Sequence, residues 1–205
     1  MLMTKDILNY IFSKAEDDTI YVINREQEKY YHNVKTDNKS INDIFYEDLI
    51  SNYFYYSYQF KRDIIYLSMA YLWASNSYCK RMKVGSLIVK NDMIISDGYN
   101  GMPSGFNNEC EENNVTKNFV LHSEANALMK LARSTSSSEN SKMYLTLSPC
   151  VECSKLIHQA NIKKLYFSEV YRDVDGLYFL YEAGVELIYI PKEVIKDKMI
   201  EIISE

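Results

Sequence analysis

The sequence lacks any stretch of apolar residues close to the roughly 20 that a membrane-spanning helix needs. Its first residues, MLMTKDILNYIFSK, also lack the long apolar segment and the small-residue cleavage site of a secretory signal peptide. Hydrophobic residues make up 47% of the 205 residues and charged residues 25%, which are values typical of a globular protein. We therefore expect a soluble, cytoplasmic protein.

The sequence also lacks an excess of positive charge. It contains 23 Lys and Arg against 28 Asp and Glu, a formal net charge of −5. Proteins that bind nucleic-acid polymers usually carry a basic face, because contacts with phosphates supply much of their affinity. The charge balance therefore argues against a polymer partner and favours a small-molecule substrate.

Glycine and proline are missing from the first part of the chain. All six glycines lie after residue 84, and neither glycine nor proline occurs before residue 60. Glycine is favoured where a backbone turns tightly or approaches a ligand. This asymmetry predicts an N-terminal extension over residues 1–60, to which the sequence assigns no role, and a main domain over residues 61–205.

Within the extension, the pattern predicts a strand in residues 19–27 and a helix over residues 40–60, with Ser40 as its N-cap and Asp43 at the third position. The helix ends in a cluster of tyrosines and phenylalanines between residues 53 and 60. Aromatic clusters of this kind more often form a core or a subunit contact than a ligand cage.

From residue 61 onward, helical patterns alternate with short apolar strands. The predicted helices cover 61–78, 122–133, 150–159 and 176–184, and the predicted strands cover 84–90, 93–100, 143–148, 164–170 and 185–190. Asn91 and Asp92 form the turn of a hairpin between the first two strands, and Pro191 is predicted to end the pattern. The alternation indicates an α/β fold with a five-stranded mixed sheet between layers of helices.

The chain has only four cysteines, which in a reducing compartment indicate metal binding or catalysis before disulfides. Two of them lie in the segment 147-LSPCVEC-153. The C-x-x-C spacing alone serves redox pairs, structural zinc sites and catalytic metal sites. His122 begins one predicted helix, and Cys150 and Cys153 begin another. Helix N-termini stabilise thiolates, so these side chains are candidates for a shared metal site.

Glu124 follows His122 by two residues, and an acid beside a metal-bound water can move its proton. Cys150 and Cys153 follow the third predicted strand, whereas the cysteine pair of a thioredoxin-like protein would follow the first strand. A structural zinc site would require a fourth ligand. By contrast, 122-HSE-124 together with 149-PCVEC-153 matches the zinc deaminase signature H-x-E…P-C-x-x-C. The two-part match favours a deaminase.

Four segments extend this match. They are 98-GYNGMPSGF-106, 122-HSEANALM-129, 145-LTLSPCVECSKLIHQANIKKLYFSE-169 and 171-YRDVDG-176. They resemble the deoxycytidylate (dCMP) deaminases of the cytidine deaminase superfamily, and the resemblance covers residues 61–195 but not 1–60. It implies the superfamily's three-layer α/β/α fold. Ser123 departs from the Ala that commonly lies between the His and the Glu.

The resemblance implies a zinc-dependent hydrolytic deaminase that converts dCMP to dUMP and ammonia. It implies that His122, Cys150 and Cys153 hold one Zn²⁺ per chain and that Glu124 is the proton shuttle. It also implies that Asn100 holds the sugar 3′-hydroxyl and that the backbone at Ala125 and Ser148 reads the base edge. The candidates for binding the phosphate are Arg81, Lys83 and Arg172.

Regulation and assembly are further implications of the resemblance. They comprise activation by dCTP, inhibition by dTTP, Mg²⁺ accompanying these nucleotides, and a homohexamer. The effector loop would contain Gly101, Pro103 and Gly105. Cys79 and Cys110 lie where some relatives hold a second zinc. We expect them instead to be buried thiols, because His32 lies in the unmatched extension and His158 on the helix after the catalytic pair.

Two alternative functions are compatible with the sequence. One is another deaminase of the superfamily, acting on tRNA adenosine, free cytosine or a riboflavin precursor. The other is a non-catalytic zinc-fold protein that binds partners through its tyrosine-rich extension. The intact Glu124 argues against the second alternative.

Overall fold

The structure, a computed structural model, describes residues 5–13, 21–24, 29–30 and 57–204. Its strands are β1 (Tyr21–Asn24), β2 (Lys29–Tyr30), β3 (Gly85–Lys90), β4 (Met93–Tyr99), β5 (Glu111–Glu112), β6 (Val115–Thr116), β7 (Lys142–Leu147), β8 (Lys164–Glu169) and β9 (Glu186–Tyr189). In the described part of the chain, seven of them form one sheet in the order β2-β1-β9-β8-β7-β3-β4. Strands β5 and β6 form a separate small hairpin.

The five strands of the main domain form the predicted mixed sheet. Strands β7, β8 and β9 are parallel, and β3 pairs antiparallel with both β7 and β4. Asn91 and Asp92 adopt φ angles of 48° and 60°, the left-handed backbone that a two-residue hairpin turn requires. The prediction of an α/β fold with a five-stranded mixed sheet is therefore confirmed, with β1 and β2 added at its β9 edge.

Six helices cover the two faces of this sheet within the described ranges. They are α1 (Lys5–Ser13), α2 (Ser57–Ala74), α3 (Ser123–Leu131), α4 (Val151–Gln159), α5 (Asp175–Glu182) and α6 (Lys192–Ser204). Residues of α1, α3, α4 and α5 share one buried apolar cluster, and residues of α2 and α6 share the other. Side chains of a strand point alternately to its two faces, so Met143 and Leu145 enter the first cluster and Tyr144 the second. The fold is a three-layer α/β/α arrangement.

The described part of the extension belongs to this same fold. Strand β1 pairs antiparallel with β9, which confirms the strand predicted in residues 19–27. Leu8 and Ile23 are buried in the first apolar cluster, and the Phe12 ring lies 5.7 Å from the Phe167 ring. Helix α2 begins at Ser57, ahead of the boundary placed at residue 61. The rest of the helix predicted over 40–60, with Ser40 and Asp43, lies outside the described residues.

Helix α6 follows Pro191, where the sequence predicted an end to the pattern. The Ile195 N–H donates to the Pro191 carbonyl at 3.1 Å, so the proline directly precedes the helix and accepts its first hydrogen bond. Proline is tolerated there because the first N–H groups of a helix have no partner within it. None of the helices in the described part combines the length and the apolar character that crossing a membrane requires.

A buried carboxyl group lies between α2 and the sheet. Asp63 is 5% exposed, and its Oδ1 accepts hydrogen bonds from the Tyr144 hydroxyl at 2.5 Å and from Gln59 Nε2 at 2.8 Å. Burial raises the pKa of Asp63 above its ordinary value of 3.8, and these hydrogen bonds oppose the rise. The folded protein therefore holds this proton more tightly than the unfolded chain does.

Asp63 consequently makes folding stability depend on pH. As the pH rises above 3.8, the unfolded chain releases the proton first, so the free energy of unfolding falls until the folded pKa is passed. Asp63→Asn is expected to remove this dependence. Urea unfolding of both proteins between pH 4 and pH 7.5 should show a difference in stability that shifts in favour of the variant as the pH rises. Parallel curves would contradict the assignment.

Candidate active site

The N-termini of α3 and α4 carry the candidate metal ligands. His122 is the N-cap of α3, and Cys150 is the N-cap of α4. Both have extended backbone, and neither side chain caps its own helix. Cys153 lies in the first turn of α4. Helices α3 and α4 pack against each other, which brings the three side chains together.

The three ligand atoms fit a zinc ion. His122 Nδ1 lies 3.5 Å from the sulfur of Cys150 and 3.5 Å from the sulfur of Cys153. Tetrahedral zinc with ordinary bond lengths separates a nitrogen and a sulfur ligand by about 3.6 Å. Within the described ranges, no other group of three His, Cys, Asp or Glu side chains is arranged for a metal. Three protein ligands leave the fourth position open, which is the arrangement of a catalytic site.

The surroundings favour a metal-binding thiolate at Cys150, whereas the hydrogen bond with Cys150 and burial raise the pKa of Cys153. Hydrogen bonds from the Cys153 thiol and from the His122 ring lower the pKa of Cys150 to about 3, against the opposing effect of burial. A thiolate is the form of cysteine that binds zinc. Neither Cys150 nor Cys153 forms a disulfide.

Glu124 lies in the first turn of α3 and is 4% exposed. Burial raises the pKa of its carboxyl group, because removal from water disfavours the charged form. A carboxyl group with a raised pKa can both accept and return a proton near neutral pH. Ser123 Oγ donates a hydrogen bond to Glu124 Oε2 at 2.9 Å.

Asn100 lies beside the metal cluster. Gly101 and Leu121 pair in an isolated antiparallel bridge. Asn100 precedes Gly101 and His122 follows Leu121, so the bridge brings these two residues close to each other. The Asn100 side chain is anchored by the preceding loop. Its Oδ1 accepts the Val84 N–H at 2.8 Å, and its Nδ2 donates to the Met82 carbonyl at 2.9 Å. The amide carries two hydrogens, so this anchoring fixes its plane and leaves a second donor for a ligand.

The two backbone positions expected to read the base edge lie at different elements. Ala125 follows Glu124 on α3, and Ser148 follows strand β7. Ser148 donates its N–H to the Glu169 carbonyl and accepts the Tyr171 N–H on its hydroxyl, both at 2.8 Å. Any contact of the Ser148 backbone with a base therefore has to use its carbonyl oxygen.

The three phosphate candidates have different surroundings. The Arg81 guanidinium donates to Thr116 Oγ1 at 3.2 Å, which directs it to the β5–β6 hairpin. Lys83 precedes Val84, which anchors Asn100, and lines an open cleft of about 560 Å³. Arg172 follows Tyr171, stacks on its ring at 5.3 Å and is mostly exposed. Lys83 and Arg172 are thus the candidates closest to the other predicted site residues. The residue after Lys83 donates a hydrogen bond to Asn100, and the residue before Arg172 donates one to Ser148.

The segment expected to bind effectors begins beside the site. Gly101 forms the bridge to Leu121, and the Pro103 carbonyl accepts the Phe106 N–H at 3.1 Å in a turn. Gly105 completes this turn with a φ of 91°. The segment continues into the β5–β6 hairpin.

Cys79 and Cys110 require a correction. The sequence led us to expect two buried thiols, with a second zinc as the alternative, whereas the structure joins these residues in a disulfide. Both are buried, and their Cα atoms lie 5.1 Å apart, within the range that a disulfide spans. The described residues provide no third ligand for a metal here. The bond links the loop after α2 to the segment that follows Gly105.

Sequence reasoning did not single out several residues that position the site. Asn126 Nδ2 donates to the Tyr99 carbonyl at 2.9 Å, which ties α3 to the strand end that carries Asn100. Ser86 Oγ donates to the Ser123 carbonyl at 2.8 Å. Gly176 lies against the Pro149 carbonyl at the start of α4. Small polar residues and glycines give no signal until packing places them.

Comparison with known proteins supports the assignment of this site to a zinc-dependent deaminase. Residues 61–169 match the family described as "Cytidine and deoxycytidylate deaminase zinc-binding region". The chain is 36% identical to the deoxycytidylate deaminase of Enterobacteria phage T4, over 62% of this chain and 89% of that protein. It is also 36% identical to the Homo sapiens deoxycytidylate deaminase, over 54% of this chain and 66% of that protein.

A solved structure is similar as well. The dCMP deaminase of cyanophage S-TIM5, in complex with dCMP and dUMP, superposes with a TM-score of 0.60 at 47% identity, covering 61% of this chain and 93% of that one. The family match covers more than half of the chain and contains His122, Glu124, Cys150 and Cys153. The chain therefore belongs to the zinc-binding family of cytidine and deoxycytidylate deaminases.

Proposed function

We propose that this protein deaminates dCMP to dUMP with release of ammonia, and so supplies dUMP for dTMP synthesis in the cytoplasm. The observation that carries the proposal is the convergence of His122, Cys150 and Cys153 beside the buried carboxyl of Glu124. The dCMP and dUMP complex of the S-TIM5 enzyme supports the choice of substrate.

The protein's own residues would perform the proton transfers. When bound by His122, Cys150 and Cys153, zinc would supply a Lewis acid that makes a water molecule nucleophilic near neutral pH. Glu124 would accept a proton from the attacking water and give it to N3 of the cytosine ring as the water oxygen adds to C4. Glu124 would then take the remaining proton of the oxygen now bonded to C4 and give it to the amino group, so that the C4–N bond breaks, a carbonyl forms at C4 and ammonia leaves.

Other residues would orient the nucleotide. We assign the sugar 3′-hydroxyl to the anchored amide of Asn100, and the base edge to the Ala125 backbone and the Ser148 carbonyl. Fixed partners of this kind lower the cost of bringing the reacting atoms together. The anchoring of Asn100 by Met82 and Val84 supports this role.

Phosphate binding is a testable part of the proposal. Lys83→Ala and Arg172→Ala are each expected to raise the KM for dCMP about tenfold or more, with little effect on the KM for deoxycytidine, because a charge-assisted hydrogen bond to phosphate contributes about 1.5–3 kcal/mol. Arg81→Ala should have the smaller effect, because its guanidinium is bonded to Thr116.

The control for these variants is Lys198→Ala, which removes an exposed positive charge on α6 that pairs with Glu201. Steady-state kinetics with nucleotide and nucleoside should leave the ratio of the two KM values unchanged for this control. A ratio equally unchanged for Lys83→Ala or Arg172→Ala would remove that residue from the phosphate site.

Regulation and assembly follow the same proposal. We propose activation by dCTP and inhibition by dTTP at the loop of Gly101, Pro103 and Gly105, with Mg²⁺ accompanying the triphosphates, in a homohexamer. We also propose that residues 61–205 form the deaminase domain. Assays of dCMP turnover with each triphosphate, with and without Mg²⁺, and the mass of the particle in solution test these points.

A substrate panel tests the activity itself. Zinc-loaded protein is expected to release ammonia from dCMP faster than from CMP, deoxycytidine or dCTP. Including free cytosine, a riboflavin precursor and a tRNA containing adenosine separates this function from those of other deaminases. Faster turnover of any of these substrates than of dCMP would overturn the substrate assignment.

A further inference from the structure

The hydroxyl of Ser123 donates its hydrogen bond to the carboxyl group of Glu124. Ser123 is 0% exposed, and its Oγ lies 2.9 Å from Glu124 Oε2. A serine hydroxyl has one hydrogen to donate, so a bond to a carboxylate uses it fully. Oε2 therefore has a fixed, buried donor.

The backbone of Ser123 is fixed from two strands. Ser86 Oγ, from β3, donates to the Ser123 carbonyl at 2.8 Å. Gly98, from β4, packs so closely that a Cβ atom there would lie 2.1 Å from the same carbonyl oxygen. With its main chain held by β3 and β4, Ser123 presents its hydroxyl from a rigid position.

A fixed donor matters for a carboxylate that transfers protons. The last torsion of a glutamate side chain has a broad, two-fold profile, so its two oxygens exchange places easily. A hydrogen bond to one oxygen removes this equivalence. Resting on the proposed function, we propose that Ser123 is a positioning residue for deamination, holding Glu124 Oε2 so that Oε1 faces the reacting atoms.

Ser123→Ala tests this role with a minimal change. It removes the donor without adding volume, and it is expected to lower kcat for dCMP about tenfold, because a carboxylate that is no longer held in its reactive orientation transfers protons less often. The KM and the zinc content should stay close to those of the wild type, while the melting temperature should fall about as much as in the control variant, because both variants lose one buried hydrogen bond. This split is expected because the hydrogen bond orients the carboxylate and touches neither the substrate nor the metal.

Ser96→Ala is the matched control. Ser96 is also buried, and its Oγ donates to the Ala127 carbonyl of the same helix at 2.7 Å. The control loses a buried hydrogen bond to α3 but leaves the Ser123–Glu124 pair intact. It is expected to lower the melting temperature while kcat stays at the wild-type value.

Infrared spectroscopy gives a second measurement that does not depend on turnover. The carboxyl band of Glu124 is identified by its loss in Glu124→Gln. It should shift in Ser123→Ala and stay in place in Ser96→Ala. An unshifted band in Ser123→Ala, a wild-type kcat, or a raised KM with unchanged kcat would each overturn the inference. If the wild type itself released no ammonia from dCMP, the proposed function would fail, and the infrared band alone would decide the role of Ser123.

Discussion

Replacement of Glu124 by glutamine is expected to lower kcat for dCMP about 10³-fold, because a positioned general acid–base group contributes 10²–10⁴-fold to rate. Glutamine keeps the volume of the side chain and its capacity to accept the Ser123 hydrogen bond. It cannot carry a proton between the water and the cytosine ring. Because burial already disfavours the charged form of Glu124, the melting temperature should be unchanged or higher.

Measurements of zinc content and of kcat on the same preparation separate chemistry from folding. Glu152→Gln serves as the control, since Glu152 is an exposed carboxylate on α4 paired with Lys155. Its kcat should stay within about twofold of the wild type, as expected for an exposed pair. A Glu124→Gln enzyme that retained a tenth of the wild-type kcat would show that another group moves the proton.

A second substitution with a large expected effect is Gly176→Ala. Gly176 packs against the backbone of the turn that carries Cys150 and Cys153. A Cβ atom on Gly176 would lie 2.1 Å from the Pro149 carbonyl oxygen and 2.9 Å from the Cys150 carbonyl carbon. Both are backbone atoms of the turn that begins α4. The turn would therefore have to move, and it carries Cys150 and Cys153 with it.

Gly176→Ala is expected to destabilise the protein by about 3 kcal/mol, the upper end of the cost of overpacking, which lowers the melting temperature by roughly 6–12 °C. Zinc affinity should fall by about 10–100-fold, as it does when groups that orient metal ligands are altered. Calorimetry and competition with a zinc chelator measure the two effects.

Gly101→Ala provides the comparison for both measurements. The nearest atom that a Cβ there would meet is Asn108 Oδ1 at 3.7 Å, an ordinary van der Waals distance. Its melting temperature and zinc affinity should therefore change little. If both glycine variants lowered the melting temperature and the zinc affinity equally, the close packing of Gly176 against the turn before α4 would not be the cause.

The sequence predicted the three side chains that the structure brings together as a candidate metal cluster. Each ligand lies at a helix N-terminus, and the periodicity of the helices and strands already placed those ends. His122 and the two cysteines are also residue types with few other roles in such a position. Chemistry of this kind is local in sequence, so the H-x-E and P-C-x-x-C spacings carry it.

The residues that support the cluster could not be predicted in the same way. Ser86, Asn126 and Gly176 act through contacts with segments distant in sequence, such as the Ser123 carbonyl and the Pro149 carbonyl. Serine and glycine occur in many structural contexts, so their presence in a sequence does not indicate such a contact. The Cys79–Cys110 disulfide is a further example, because neither cysteine lies in a motif that pairs it with the other.

Two differences in the fold have local physical causes. Pro191 was interpreted as a breaker, yet a proline that precedes a helix leaves no hydrogen bond unmade, and α6 follows it. The five-stranded sheet gained β1 because the edge of β9 offers unpaired backbone groups to another strand. Neither cause can be derived from the pattern of the main domain by itself.

Titration of metal-free protein with zinc, followed by conversion of dCMP to dUMP, tests the central claim most directly. We expect activity to rise in proportion to added zinc and to reach its plateau at one zinc per chain, because the described residues form one cluster of three ligands. Ammonia should appear in equal amount with dUMP. Protein that binds one zinc per chain through His122, Cys150 and Cys153 but releases no ammonia from dCMP, with or without dCTP, would contradict the account.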